Sequence, residues 1–146
     1  MKKYSPISVA YLTVLIASTA NSAEVLLDTD TSWDGGTFAY PTGKAQITAV
    51  TIHLEPGQDL PFHCHPVPTM GYVQHGSLDV ETASGDKQRF EEGDAVVEVM
   101  NTLHRGRAVG GPVDIVVFYA GAEGVPTTVL PDTEEAKEWP CGMQNG

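Results

Sequence analysis

Three features are scarce in this 146-residue sequence: cysteine, basic side chains and long apolar stretches. The two cysteines, Cys64 and Cys141, form neither a CxxC redox pair nor a zinc-finger pattern. Two interpretations of them stay open. An exported protein would join them in one disulfide bond, or Cys64 simply packs in the outer layer of the fold. No repeat, low-complexity tract or linker is visible, so the length indicates one domain.

The shortage of basic side chains makes the chain strongly acidic. It has 8 lysines and arginines against 19 aspartates and glutamates, for a formal net charge of −11. A surface of this sign repels the phosphates of nucleic acids and the headgroups of anionic membranes. We therefore expect no nucleic-acid partner.

The apolar run over residues 7–17 is too short for a comfortable membrane span. It follows two lysines and precedes small residues, which is the pattern of a secretory signal peptide. We predict a signal peptide over residues 1–23, cleaved after Ala20 or Ala23, and a mature domain over residues 24–146. An uncleaved anchor or a buried helix is the alternative. The processed chain would have a net charge of −13, no stable membrane span and a periplasmic or secreted location.

Fifteen glycines and ten prolines favour short strands joined by tight turns. We predict strands over residues 24–31, 45–54, 60–65, 69–75, 77–83, 87–90, 95–99, 103–108 and 113–120. One helix is predicted over residues 132–139, with Asp132 or Thr133 as its cap. Many short strands at this spacing predict an all-β sandwich or barrel, and a barrel is favoured because closure removes exposed edges.

Three histidines form the most informative pattern. His63 and His65 are one residue apart, so on an extended strand their imidazoles point to the same face. His104 follows about forty residues later, next to a second glycine-containing segment. Imidazole is a ligand for Zn, Cu, Fe and Ni, so three histidines brought together would make a transition-metal site.

The spacing around these histidines resembles the cupin superfamily. The first cupin motif, G-x5-H-x-H-x3-E-x6-G, is similar to the stretch from Gly57 to Gly76, with His63 and His65 in place. The second motif, G-x5-P-x-G-x2-H-x3-N, fits at Gly93 and His104. The similarity spans roughly residues 45–120, and it is greatest to small, exported, single-domain cupins of type 2.

This resemblance implies an all-β, single cupin jelly-roll barrel, followed by the short C-terminal helix, with a metal inside its mouth. It also implies a small-molecule ligand and a homodimer. The motif glutamate, however, is replaced by Thr69, and the motif proline, glycine and asparagine are replaced by Val99, Asn101 and Ala108. The usual set of three histidines and one glutamate is therefore reduced to the three histidines.

We weigh three interpretations of this incomplete site. The three histidines hold a divalent Fe, Mn, Ni or Zn ion without a carboxylate, or Glu98 supplies the missing carboxylate, or the site binds a small ligand without metal. Glu98 interrupts an apolar strand, where a carboxylate is costly to bury unless it is paired. It is our candidate catalytic residue, as a general base or as a hydrogen-bond partner of a histidine. An outward Glu98 paired with Arg105 or Arg107 is the alternative.

Three further residues are candidates for contact with substrate. Thr69 takes the position of the motif glutamate, Tyr72 is a strand residue close to the first motif, and Arg105 could clamp a carboxylate. A surface role for Arg105 is equally compatible with the sequence.

The sequence therefore predicts a metal-binding, single-domain cupin of the cell envelope that acts on a small organic molecule. Dioxygenase-like chemistry is the first hypothesis, and isomerase or lyase chemistry stays open. The alternative is a non-catalytic cupin that binds a small ligand or a metal, and a purely structural barrel ranks below both.

Overall fold

The computed structural model describes residues 23–142, so the predicted signal peptide lies outside the described residues except for Ala23. The chain order is β1 (Ala45–Leu54), β2 (Thr69–Thr82), β3 (Lys87–Glu91), β4 (Ala95–Val97), β5 (His104–Ala122) and α1 (Glu135–Glu138). The protein is thus nearly all β, as predicted. Among the described residues, no helix combines the length and apolar character that a membrane crossing requires.

All five strands are hydrogen-bonded in the order β1-β5-β2-β3, with β4 on β2, and every pairing is antiparallel. The two long strands, β2 and β5, take part in both layers of the resulting jelly roll. The first layer consists of β1, β4, residues 69–73 of β2 and residues 113–122 of β5. The second layer consists of β3, residues 77–82 of β2 and residues 104–109 of β5.

The two layers meet where β2 and β5 bend together. The pairing of β2 with β5 shifts on either side of His75, and Gly76 lies in the bend with a φ of +83°. A side chain at Gly76 is excluded, because a Cβ there would lie 2.2 Å from the carbonyl oxygen of Pro112. This close approach of two backbones lets both strands continue from one layer into the other.

The bend also changes which residues face inward. Before it, β2 buries Thr69, Gly71 and Val73, and after it Leu78 and Val80 are buried. The inward positions therefore switch from odd to even numbers, as expected when a bulge shifts the alternation of faces by one residue. The inward side chains of both layers form one apolar core.

Four predicted strands proved to be parts of longer ones. The predicted breaks near Gly76 and Gly110 are bends inside β2 and β5, because the neighbouring strand bends with each of them. Residues 24–31 form no strand, and residues 60–65 make only isolated bridges. Proline at 61, 66 and 68 explains the second difference, since it cannot donate to a ladder.

The C-terminal segment is anchored to the barrel. Helix α1 is shorter than predicted, although the Thr133 hydroxyl accepts the Ala136 N–H as a cap would. Cys141 forms a disulfide bond with Cys64, with a Cα–Cα distance of 5.7 Å. The structure therefore decides between the two interpretations of the cysteines. Cys64 also exchanges two backbone hydrogen bonds with Val129, so this side of the histidine segment is held at two points.

The bend predicts that a side chain at Gly76 destabilises the fold. We expect Gly76→Ala to lower the free energy of unfolding by roughly 2–4 kcal/mol, because the new Cβ adds a clash with the Pro112 backbone to the strain of positive φ. Gly124→Ala is the matched control: Gly124 has the same φ of +83° but nothing within 4 Å of a built Cβ. It should cost roughly 1 kcal/mol. Urea unfolding measures the free energy of unfolding of both variants. Equal decreases in the two variants would contradict the role of the bend.

Candidate metal centre

The three predicted histidines come together inside the barrel mouth. His63 and His65 lie in the extended segment before β2, and His104 is the first residue of β5. His63 and His104 exchange backbone hydrogen bonds of 3.0 and 2.9 Å, which places their side chains next to each other. Cys64, between the two histidines, faces the opposite way toward the disulfide, as the alternation of an extended segment requires.

The three rings are close enough to share one ion. Their centroids are 4.5–5.0 Å apart, and one ring nitrogen from each histidine lies within 4.8 Å of the other two. All three side chains are buried. This is the only group of at least three metal-binding side chains found in residues 23–142.

Backbone carbonyls determine which nitrogen of each ring is free. Nδ1 of His63 lies 2.8 Å from the carbonyl oxygen of Pro61, Nδ1 of His65 is 2.8 Å from that of Thr127, and Nδ1 of His104 is 2.8 Å from that of Thr102. A carbonyl oxygen can only accept, so each Nδ1 must carry the proton. The neutral rings therefore keep a lone pair on Nε2, the arrangement that metal-binding histidines commonly have.

Burial favours these neutral rings. The pKa of His63, of His65 and of His104 is lowered, in each case mainly because burial penalises the charged imidazolium. Repulsion from the neighbouring imidazolium groups also lowers the pKa, from His104 at His63 and from His104 and His63 at His65. The donor set is thus three neutral imidazoles, which fits a divalent transition metal.

Glu98 faces the same interior. Glu98 directly follows β4, and its backbone N–H donates to the carbonyl oxygen of Thr69 in β2 at 2.8 Å. The two residues therefore lie opposite each other on neighbouring strand segments. Its Oε2 is 3.6 Å from His104 Nε2 and has no hydrogen-bond partner. Burial raises the pKa of the carboxyl to about 7, against the opposing effects of His63 and Trp33. Glu98 does not belong to the group of mutually close ligand atoms.

Thr69 lines the cavity, but its hydroxyl donates to the Val67 carbonyl oxygen at 3.1 Å. The side chain opposite it, Glu98, is the carboxyl group that does reach the interior. The outward alternative for Glu98, with Arg105 or Arg107 as its partner, does not occur. A carboxyl group thus lies one strand away from the motif position.

The other two candidate contact residues lie away from the histidines. Tyr72 differs in parity from the inward Thr69 and Gly71, so it faces the outside of the first layer. Arg105 also faces outward, where its Nε donates to Glu81 at 2.6 Å and its guanidinium lies 4.7 Å from the Phe62 ring centroid. The structure therefore does not bring these two residues to the interior site.

The cavity next to the histidines is small and largely apolar. Its volume is about 40 Å³, enough for about three water molecules. Leucine, isoleucine and valine side chains from both layers surround the histidines, Thr69 and Glu98. Only a small molecule, or the reacting end of a larger one, fits in this space.

Two residues outside the motif positions also lie at this site. Tyr119 lines the cavity, pairs with Thr69 and places its ring 5.5 Å from that of His65. Trp33 donates its backbone N–H to Val97, and its indole N–H is buried without a hydrogen-bond partner, near enough to Glu98 to lower the pKa of that carboxyl. Neither residue belongs to a motif, because strand pairing and a distant N-terminal turn bring them here.

The remaining histidines are exposed and paired with acids. His53 Nδ1 lies 2.6 Å from Asp114, which raises the pKa of His53, and His75 Nδ1 lies 3.1 Å from Glu92. Neither of them lines the cavity of the three interior histidines.

The fold and the buried histidine cluster define a cupin. The sequence profile of the Cupin domain family matches residues 50–119, a range that contains all three histidines. Together with the jelly-roll architecture, this match shows that the chain belongs to the cupin superfamily, as its motifs predicted. No curated protein sequence matches the chain.

Solved structures with the same fold include two enzymes. The DMSP lyase DddQ from Ruegeria pomeroyi is 24% identical with a TM-score of 0.53, over 68% of this chain and 48% of that one. An oxalate oxidase is 22% identical with a TM-score of 0.50, over 58% and 46%. The chain thus spans about half the length of these proteins.

A third solved structure is closer in size. An uncharacterised protein with a double-stranded β-helix domain, from Klebsiella pneumoniae, is 20% identical with a TM-score of 0.51, over 66% of this chain and 83% of that one. At these identities the similarities establish the fold.

The buried carboxyl predicts a pH-dependent difference between the wild type and Glu98→Gln. The pKa of Glu98 rises from 4.5 to about 7 on folding, so the stability that the protonated carboxyl contributes is full below pH 4.5 and lost as pH rises through 7. In metal-free protein, the free energy of unfolding of Glu98→Gln should rise by about 3 kcal/mol relative to that of the wild type between pH 4.5 and 7. Above pH 7 the difference should stay constant. Urea unfolding from pH 4 to pH 8 in a chelator measures this. A difference that stays constant with pH would contradict it.

Proposed function

We propose that this protein is a metal-dependent cupin enzyme that binds one divalent Fe, Mn, Ni or Zn ion through His63, His65 and His104. One observation supports this most directly: all three Nδ1 protons are engaged by backbone carbonyls, which leaves three neutral Nε2 atoms for a common ligand. The backbone thereby orients the rings before any ion binds.

His63, His65 and His104 would hold the metal, and an ion bound there would supply Lewis-acid polarisation of a substrate oxygen atom or activation of O2. The residues of the chain supply the rest of the proposed chemistry. Glu98 has an unsatisfied carboxyl oxygen beside His104 and a pKa near neutrality, so it is suited to take or give a proton at the bound molecule. The apolar walls exclude bulk water from this proton transfer.

The substrate that we propose is a small organic molecule, because the cavity of about 40 Å³ admits only a few non-hydrogen atoms. Dioxygenase-like chemistry is our first hypothesis, with isomerase and lyase chemistry as the other options. Two enzymes of the same fold, a DMSP lyase and an oxalate oxidase, support action on small organic compounds.

A non-catalytic cupin that binds a metal or a small ligand is the second candidate function. Thr69 in place of the motif glutamate favours it, since its hydroxyl is already engaged by Val67. In that case Glu98 would shape the binding site without moving a proton.

We further propose that the protein is exported to the periplasm or secreted. The predicted signal peptide over residues 1–23 carries this proposal. The Cys64–Cys141 disulfide supports it, because such bonds form and persist in oxidising compartments.

Metal reconstitution tests the metal proposal. We expect the purified apo-protein to take up one equivalent of Fe(II), Mn(II), Ni(II) or Zn(II) by elemental analysis, and its melting temperature to rise with metal concentration by mass action. His63→Ala/His104→Ala should abolish both effects. His75→Ala, an exposed histidine outside the cluster, is the control and should retain them. A wild-type protein that binds none of the four ions would overturn the proposal.

Glu98→Gln distinguishes the roles proposed for the carboxyl. A proton-transfer residue outside the ligand group leaves the metal stoichiometry at one, whereas loss of the metal would show that Glu98 is itself a ligand. With a panel of small organic acids, O2 uptake or product formation that is lost in Glu98→Gln supports the enzyme. Metal-loaded wild type that binds members of the panel without converting any of them supports the second candidate.

A further inference from the structure

The three interior histidines differ in where the acceptors of their Nδ1 protons come from. The carbonyl oxygens that accept from His63 and His104 each belong to a residue two positions earlier in the same segment. The acceptor for His65 is the carbonyl oxygen of Thr127, which lies 62 positions away in the sequence. Of the three rings, His65 is therefore the one whose orientation depends on a remote part of the chain.

That remote part is the end of the chain, residues 126–141, which we call the C-terminal strap. The strap places a carbonyl oxygen 2.8 Å from His65 Nδ1, and the Thr128 hydroxyl lies 3.4 Å from the same nitrogen. One residue further on, Val129 exchanges two backbone hydrogen bonds of 2.9 Å with Cys64. The strap thus contacts two successive residues of the histidine segment.

The strap has few other attachments. Among the described residues, the backbone of residues 126–142 is hydrogen-bonded to the barrel only at Cys64. No side chain from residue 130 to residue 142 is buried. The far end of the strap is therefore held mainly by the Cys64–Cys141 disulfide, which joins residues 77 positions apart. A cross-link over so long a loop removes much of the freedom that the strap would otherwise have.

The disulfide lies directly behind the histidines. Cys64 is placed between His63 and His65, and its side chain faces away from theirs. The sulfur of Cys141 is 3.8 Å from the carbonyl oxygen of Val129, so the disulfide and the backbone bridge lie side by side. The bond therefore fixes the strap at the point where it reaches the histidine segment.

We propose that the Cys64–Cys141 disulfide is a positioning device for the metal centre, and that its formation raises the affinity of the three histidines for a divalent ion. With the bond closed, the Thr127 carbonyl keeps the proton of His65 on Nδ1 and leaves Nε2 free. With the bond open, the strap detaches for part of the time, and the proton of His65 then also occupies Nε2, the nitrogen that the ion needs. This inference rests on the proposed metal binding and makes it dependent on the redox state of the cysteines.

Oxidation would thereby control metal loading. Formation of the bond removes two electrons and two protons from the two thiols and passes them to a disulfide oxidant, which becomes a dithiol. Cys64 is 1% exposed, whereas Cys141 is only partly buried, so Cys141 is the sulfur that an exchange partner reaches. The protein would bind its ion tightly only after it has entered an oxidising compartment.

Metal competition tests the inference on the purified full-length chain. We expect Cys141→Ser and Cys64→Ala/Cys141→Ser to bind one Ni(II), as wild type does, but with a dissociation constant about 10-fold higher in competition with a chromophoric chelator. Loss of a hydrogen-bond partner behind a histidine ligand lowers metal affinity on this scale. The first variant keeps Cys64 in its packed position, and the second has no thiol that could bind nickel, so agreement between them excludes both side effects.

Leu54→Ala is the matched control for a general loss of stability. Leu54 is 1% exposed in the apolar core and does not line the cavity of the histidines. This variant should unfold at a lower urea concentration but bind Ni(II) with wild-type affinity. Near-ultraviolet circular dichroism establishes that each variant is folded in the competition experiment.

The histidine rings supply a readout that needs no metal. In metal-free wild type, long-range proton–nitrogen NMR spectra should place the proton on Nδ1 of all three rings. In Cys141→Ser, and in wild type reduced with a phosphine, His65 alone should show a mixture of both tautomers, because His63 and His104 keep their local acceptors. Reoxidation of the wild type should restore the single form of His65.

Equal nickel affinity in wild type and in both disulfide-free variants would overturn the inference. The same holds if His65 keeps its proton on Nδ1 without the disulfide, or if Leu54→Ala loses as much affinity as Cys141→Ser. A wild type that takes up none of the four candidate ions overturns the proposed function instead. In that case the NMR spectra of His65 still show whether the disulfide positions the ring.

Discussion

The site depends on the coordinated bend of β2 and β5. His104 and Tyr119 are fifteen residues apart on one strand, so a regular strand would point them to opposite faces. The shift of register at the bend reverses the alternation, and both side chains then face the same cavity. Gly76 is required at this point because the Pro112 carbonyl occupies the space of a side chain. A constraint on two backbones therefore determines which side chains can meet.

Next to the cavity, the backbone carbonyl oxygens of Pro61, Thr127 and Thr102 each accept a hydrogen bond from one of the three histidines. They hold the Nδ1 protons outward, while burial lowers the pKa of all three rings. Beside this neutral cluster, Glu98 Oε2 and Trp33 Nε1 are buried without a hydrogen-bond partner. Such unsatisfied groups are costly in a low-dielectric interior, which is the physical reason to infer a missing ligand.

The same strand alternation that builds the interior also divides the exterior. In the second layer, outward positions pair opposite charges across neighbouring strands and expose them to solvent. In the first layer most outward positions are apolar although the interior side is already covered, and the exposed His53–Asp114 pair lies at the end next to the bend. Two chemically different faces therefore lie on one sheet.

The sequence by itself determined the all-β class, the cupin superfamily and the shared orientation of His63 and His65, because local alternation and motif spacing depend on neighbouring residues. Only the tertiary structure decided the disulfide, the inward position of Glu98, the contributions of Tyr119 and Trp33, and the outward positions of Tyr72 and Arg105. It also joined the predicted short strands into β2 and β5. Each of these features depends on register between strands far apart in the chain, and a shift of one residue reverses the face that a side chain occupies.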